Sequence, residues 1–299
     1  MSNSPTAPGL WHRLLDVLRC PLCDRPLAPP NGVPASLDTL RGVKSLGCPA
    51  GHSFDVARQG YLSLLTGNTN TANADNAAMV TARTQFLDAG HYEPLARALA
   101  GAVAELCPAD GTVVDAGAGT GYYLAAVLDA LPGAVGLGLD ASKFALRRAA
   151  GAHPRAGAAT GDIWKPLPVV SGAADVVINV FAPRNGPEFQ RVLRPDGALV
   201  VVTPTARHLA ELPASLGMLS VDAAKEDRLH RTLSGHFRRE RGDVVEREAT
   251  MTGQDVLHLI LMGPSAHHLG TQDVHRSVAS LDTPLPVTVS FLVSVYRPL

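Results

Sequence analysis

The stretch VVDAGAGTGYYLA, Val113 to Ala125, places Asp115 at the end of an apolar, β-forming run, then Gly117, Gly119 and Gly121, then residues that favour helix. Glycines at this spacing allow positive φ and close approach of a ligand to the backbone. Folds with this turn bind their ligands at the first crossover of a parallel sheet. The G-x-G-x-G run alone is shared by dinucleotide enzymes, phosphate loops and structural turns. No Lys-Ser/Thr follows it, which removes the phosphate-loop reading.

Outward from this loop, the runs TVVDA, AVGLGLD, ADVVINV and ALVVVTP, starting at 112, 134, 174 and 198, are apolar on both faces, as buried parallel strands are. Helical stretches separate them, which predicts a doubly wound α/β sheet. Ala77–Leu87 and Tyr92–Leu106 read as helices, the second interrupted early by Pro94. DVVEREATM (243–251) and PVTVSFLVSVY (286–296) are candidate closing strands with a helix between them. A short helix is expected over Trp11–Leu18, and disorder over the first nine residues. The polar, low-complexity TGNTNTANADN, Thr66 to Asn76, marks a boundary. It divides the chain into a module over 1–66, a linker over 67–76 and a sheet domain over 77–299.

Polar residues at successive strand ends separate a dinucleotide site from one for S-adenosylmethionine. Asp115, before the glycines, can bind the cationic amino-acid end of S-adenosylmethionine but would repel a pyrophosphate. Asp140 ends GLGLDAS, where it can accept from both ribose hydroxyls; alone, it suits NAD equally. Asp162, in GDIWKPLP, can accept from the adenine amino group, and Asn179 ends the strand that faces the transferring methyl. Helix caps and turns are the competing explanation for each, but their shared order along the sheet favours S-adenosylmethionine. Tyr122 and Tyr123 open the next helix as packing residues, with Tyr122 close enough to join the cofactor set.

A second motif lies upstream. Cys20-x2-Cys23-x24-Cys48-x3-His52 has the ligand count and knuckle spacing of a tetrahedral structural zinc site. Two close pairs in a segment with few large apolar side chains disfavour unrelated buried thiols, and the third cysteine disfavours a redox pair. Zinc would supply the folding free energy that such a module lacks, leaving the sheet domain with its own core. Cys107 lies outside the pattern and reads as a helix-end packing residue.

Composition sets limits on the function. Four cysteines in 299 residues are too few for a disulfide scaffold. Hydrophobic residues make up 46% and charged residues 18%, without an apolar run that could cross a bilayer or a basic-then-apolar leader. These features predict a soluble cytoplasmic protein without a membrane partner. A formal net charge of -1 argues against nonspecific coating of nucleic acid. It leaves room for a local basic face: in residues 1 to 65, Arg13, Arg19, Arg25, Arg41, Lys44 and Arg58 outnumber Asp16, Asp24, Asp38 and Asp55.

With both motifs in hand, the sequence resembles the large-subunit rRNA guanine-N1 methyltransferase A family. The resemblance rests on Cys20/Cys23/Cys48/His52, FDVARQGYLSLL (54–65), MVTARTQFLDAGHYEPL (79–95), VVDAGAGTGYYL and NVFAPRNGPEFQRVLRPDGALVVVTP (179–204). It covers nearly the whole chain and is nearest to the actinobacterial branch, which includes tylosin- and mycinamicin-resistance methyltransferases. The resemblance implies a seven-stranded S-adenosylmethionine-dependent sheet with one structural Zn2+ per chain. It further implies methylation at N1 of a guanine in a 23S rRNA hairpin lining the peptide exit tunnel, a position suited to macrolide resistance. The implied assembly is a homodimer whose zinc modules help form an RNA-binding cleft.

In such a reaction the sulfonium methyl is already activated, so the protein positions the attacking nitrogen in a water-poor pocket. Guanine N1 must lose its proton, which requires a base or a donor to the developing charge on O6. The sequence names no base. Asn179 is the candidate for orienting the base edge and Arg184 for stabilising charge on the guanine or binding a phosphate. Val-Phe-Ala-Pro after Asn179 is not the Pro-Pro-aromatic signature of amino-directed adenine methylation, and no Pro-Cys nucleophile is present. Two alternatives stay open: a small-molecule methyltransferase of secondary metabolism, and a catalytically inactive, zinc-dependent RNA-binding protein.

Overall fold

The computed structural model describes residues 9–30, 40–67, 74–213, 216, 232–263 and 271–299. The sheet strands are β3 (Thr112–Ala116), β4 (Val135–Asp140), β5 (Ala156–Thr160), β6 (Ala174–Val180), β7 (Leu193–Pro204), β8 (Phe237–Met251) and β9 (Leu285–Pro298). They make one sheet of order β5-β4-β3-β6-β7-β9-β8. β9 runs antiparallel to both its neighbours, and the other strands run parallel to one another. β3 is hydrogen-bonded to β4 on one side and β6 on the other. The chain therefore winds away from it in both directions, and the carboxyl ends of β3, β4 and β6 lie at the switch point where such sheets bind ligands.

Helices α2 (Ala77–Asp88), α3 (Glu93–Ala104), α4 (Tyr122–Ala130), α5 (Lys143–Ala149), α6 (Gly186–Val192), α7 (Gly253–Leu261) and α8 (Thr271–Ala279) accompany the sheet. Pro94 does not interrupt α3. It sits in the first turn, where its missing N–H would have no intrahelical partner. Two helices, not one, lie between β8 and β9, with Gly263 and Pro264 following α7 in the sequence. β7 begins at Leu193, five residues before the expected run, and a register shift opposite Ala174 to Val176 absorbs the polar Arg194–Gly197.

The first segment is not set apart from the sheet. Helix α1 (Leu10–Val17) buries Leu10, Trp11, Leu14, Leu15 and Val17, and these share one core with Val114, Leu137, Leu139 and Ala159 of the sheet. Arg13 donates to Gly133 O (2.8 Å) and Asp110 O, and Arg19 donates to Leu167 O (3.3 Å). Leu18 bridges to Val169, and Leu62 to Ala159. The opposite face of the sheet buries a second core with Leu95, Leu99 and Val103 of α3 and Leu257 and Ile260 of α7. The described part of the connector is also anchored. Asn76 caps α2 through Ala78 N and Met79 N, Asp75 pairs with Arg83, and Ser142 Oγ donates to Asp75 O. The expected disordered start and most of the linker lie outside the described residues. Among those described, no helix is long and apolar enough to cross a membrane.

Candidate functional site

The three glycines have three different tasks. Gly117 (φ +95°) passes so close to Ala182, after β6, that a Cβ would overlap it. Gly121 (φ +81°) caps α4, and a Cβ there would lie 2.9 Å from Ala152 and 3.1 Å from Ala149, so it sets the approach of α4 to α5. Gly119 (φ +55°) lies beneath Arg83, whose Nη1 would be 3.4 Å from its Cβ. Asp140 holds this loop: its Oδ2 accepts from Gly119 N (2.9 Å) and its Oδ1 from Ser142 N (2.8 Å). One lone pair on each oxygen is then left for another donor. Burial raises the Asp140 pKa, and these two N–H groups oppose the rise.

Asp115 lies in the middle of this arrangement, 1% exposed, and its Oδ1 has no hydrogen-bond partner. Burial first, and then the charge of Asp140, push its pKa up to about 8. Asn179 is fully buried. Its Nδ2 donates to Ala116 O (2.8 Å) and Pro183 O (2.9 Å), which fixes the amide orientation, and its Oδ1 is unpartnered. Asn179 therefore ties the end of β3 to the loop after β6 and offers a ligand an acceptor only. Unsatisfied acceptors on Asp115 and Asn179 beside a glycine loop fit a ligand that brings an ammonium group and hydroxyls, as S-adenosylmethionine does.

Asp162 follows β5 as expected and forms a turn, its Oδ1 accepting from Trp164 N (3.0 Å). Arg184 is half-buried; its Nε has no partner, and burial lowers its pKa against the influence of Tyr296. Tyr122 lines a groove between α3 and α4 with Thr120 of the glycine loop, Glu93, Arg97 and Asp129. The neighbouring Tyr123 turns inward and packs edge-on to Phe181 at 6.2 Å. Its hydroxyl is buried without a partner, and burial, with Tyr92, Tyr122 and Asp115 adding, holds its pKa well above the usual value. Adjacent tyrosines point to different sides of a helix, and no local pattern tells which side faces inward.

Sequence reading also missed an aromatic cluster over the end of β6. Tyr92 packs edge-on to Phe86 and Phe291, each at 4.9 Å, and Phe181 lies 6.2 Å from both Tyr92 and Tyr123. His208 packs at a tilt against Phe291, 4.5 Å between ring centres. Its Nδ1 accepts from Ser290 N (3.2 Å), and burial lowers its pKa to about 4. A neutral ring whose Nδ1 accepts carries its proton on Nε2, which therefore donates to Tyr92 Oη (3.1 Å).

The metal motif closes as the spacing predicts. The hairpin β1 (Ser45–Gly47) and β2 (Ser53–Asp55) presents Cys48 and His52 at its turn, with Gly51 at φ +85°. Cys20 and Cys23 come from the turn after α1. The four ligand atoms lie within 4.8 Å of one another. Cys20 Sγ is 3.5 Å from His52 Nδ1, Cys23 Sγ is 3.5 Å from Cys48 Sγ, and Cys48 Sγ is 3.4 Å from His52 Nδ1. Zinc with bonds of about 2.3 Å to sulfur and 2.0 Å to nitrogen sets tetrahedral edges of roughly 3.5–3.8 Å. The donor set therefore fits one zinc ion. Cys107, by contrast, is buried at the end of α3, and burial pushes its thiol up to about 12.

Comparison with known proteins agrees with this geometry. The family model of the RlmA N-terminal zinc ribbon matches residues 18–70. The chain is 45% identical to the 23S rRNA (guanine(748)-N(1))-methyltransferase of Streptomyces fradiae, over 94% of this chain and 97% of the relative. It is 51% identical to a Micromonospora griseorubida protein whose name assigns it 23S rRNA (guanine-N(1)-) methyl transfer, over 96% and 99%. These two likenesses span both the zinc ribbon and the sheet, and the chain belongs to the family of 23S rRNA guanine-N1 methyltransferases.

Proposed function

We infer that this chain transfers a methyl group from S-adenosylmethionine to N1 of a guanine in 23S rRNA. The observation that carries the inference is one chain holding both a tetrahedral Cys3His cluster and a buried, partnerless acid at the end of the first strand of a methyltransferase sheet. A small-molecule methyltransferase needs the second feature but not the first.

The cofactor would supply an activated methyl on a sulfonium. Within the chain, Asp115 would hold the ammonium end, the remaining lone pairs of Asp140 would take the ribose hydroxyls, and Asp162 would take the adenine amino group. Gly117, Gly119 and Gly121 would allow close approach. Tyr122, the first residue of α4 after the glycine loop, would border the cofactor. Asn179 Oδ1 is the acceptor for an N–H on the guanine edge, and Arg184 a cation for charge on the base or a phosphate. Cys20, Cys23, Cys48 and His52 would hold a structural zinc that shapes an RNA-reading surface.

The proposal extends to a hairpin lining the peptide exit tunnel as substrate, a homodimer as the working unit and the cytoplasm as its place. It assigns recognition to residues 1–66 and transfer to residues 77–299, with 67–76 as linker. N1 methylation blocks the Watson–Crick edge. Labelled S-adenosylmethionine should therefore mark deproteinised 23S rRNA, and reverse transcriptase should halt beside one guanine. Incorporation of label without such a stop would place the methyl on another atom and end the N1 assignment.

A further inference from the structure

Strand β6 ends in an outlier. Phe181, two residues after Asn179, has φ +55°. This is the left-handed region, in which a Cβ crowds the neighbouring carbonyl and in which glycine or asparagine is usual. The ring is also 42% exposed, although the strand before it is buried throughout. A large apolar ring held in a disfavoured backbone state and left in water is not explained by core packing.

The surrounding residues fix this presentation. Phe181 N donates to Val202 O (3.3 Å), and Asn179 Nδ2 holds Pro183 O on the other side of the turn. Gly117 leaves no space beside Ala182. The ring rests on Phe291 (5.5 Å, tilted) and against the edges of Tyr92 and Tyr123 (6.2 Å each). It is therefore braced by aromatics on one side and open on the other, two residues along the chain from Asn179, whose Oδ1 has no partner.

We propose that Phe181 is the platform on which the target guanine stacks once it leaves its hairpin. The inference rests on the guanine-N1 reading above. A base turned out for chemistry loses its stacking partners, and an aromatic face in the pocket restores them. Stacking on Phe181 would fix the plane of the guanine, and Asn179 would fix its rotation within that plane. Phe181 is thus a substrate-contacting residue set before binding, without ordering of the loop.

Three variants test the role of the ring separately from that of the backbone. F181L keeps an apolar side chain without a π face, F181N accepts left-handed backbone without a ring, and F181W keeps a face. Each is measured for methylation of the 23S rRNA hairpin and for S-adenosylhomocysteine affinity by calorimetry. F181L and F181N should lose roughly ten- to hundredfold in kcat/KM, F181W should stay within threefold of the parent, and homocysteine-adduct affinity should change less than twofold in all. A hairpin with 2-aminopurine at the methylated position should be quenched on binding the parent protein and less so on binding F181L. F181L with parental kcat/KM would overturn the platform while leaving the guanine-N1 reading intact. Loss of S-adenosylhomocysteine affinity in F181L would reassign the ring to the cofactor pocket. A parent protein that makes no N1-methylguanine would remove the underlying reading itself.

Discussion

Leu14 of the first helix packs so closely on Gly157 of β5 that a methyl group at 157 would overlap Leu14 Cδ1 and lie 3.0 Å from the ring of Trp11. The helix that leads into Cys20 and Cys23 is thus seated on the edge of the sheet. Gly157→Ala should force α1 outward and lower stability by about 1–3 kcal/mol. Thermal unfolding should show this fall, and metal content should become easier to strip with a chelator. An unchanged midpoint would mean that α1 is not seated on the sheet as described.

The same packing changes what zinc loss should do. The sequence reading treats residues 1–66 as a module whose collapse spares the sheet. In the fold, Leu18, Leu27, Leu46 and Phe54 share a core with Val114, Leu137 and Leu139. Cys48→Ser should therefore release metal and lower the unfolding midpoint of the whole chain in a single transition, with methylation of rRNA lost. Calorimetry that resolved two transitions, one at the parental temperature, would restore the separable module.

Asp140→Ala removes the acceptor of Gly119 N and Ser142 N as well as any bond to a ribose. Cofactor affinity should fall by about 1.5–3 kcal/mol from the lost charge-assisted bonds, and the loop should loosen. Faster amide exchange at Gly119 in the variant would show the loop effect, and calorimetry the binding effect. Parental affinity would mean that the cofactor lies elsewhere.

Features that depend on local chemistry were legible in the sequence. The buried strands announced themselves by β-branched runs apolar on both faces, the glycine loop by its spacing, and the metal centre by ligand types at fixed separations. What the sequence concealed depends on long-range placement. Whether Tyr122 or Tyr123 turns towards the aromatic cluster is decided by the rotation of α4, and Phe181 gains meaning only from its φ and from Phe291, which lies 110 positions later in the chain. Burial of α1 against Gly157 likewise joins residues from opposite sides of the expected boundary. Polar strand ends are readable because each is set by its own strand, whereas a shared core is a property of the assembled sheet.

Asp115 gives a prediction with a definite sign. Its pKa is raised from an ordinary 3.8 to about 8, by burial and then by Asp140. Between about pH 4 and pH 8 the native carboxyl keeps a proton that the unfolded chain has lost. The unfolded state then binds fewer protons, and stability falls as pH rises through that window. Above pH 8 both states are ionised and the penalty stops growing. Asp115→Asn removes this term, so the cofactor-free variant should gain stability over the parent from pH 5 to pH 8. Binding should show the opposite trend. An ammonium group beside Asp115 favours the carboxylate, so S-adenosylhomocysteine should bind more tightly as pH rises towards 8, by at most tenfold per unit, with release of about one proton. Calorimetry in two buffers of different ionisation enthalpy measures that proton directly. Asp115→Asn should bind weakly and without the pH slope, because a neutral amide neither pairs with the ammonium nor titrates. A parent protein that bound S-adenosylhomocysteine equally well at pH 6 and pH 8 with no proton released would show that Asp115 does not meet the ammonium.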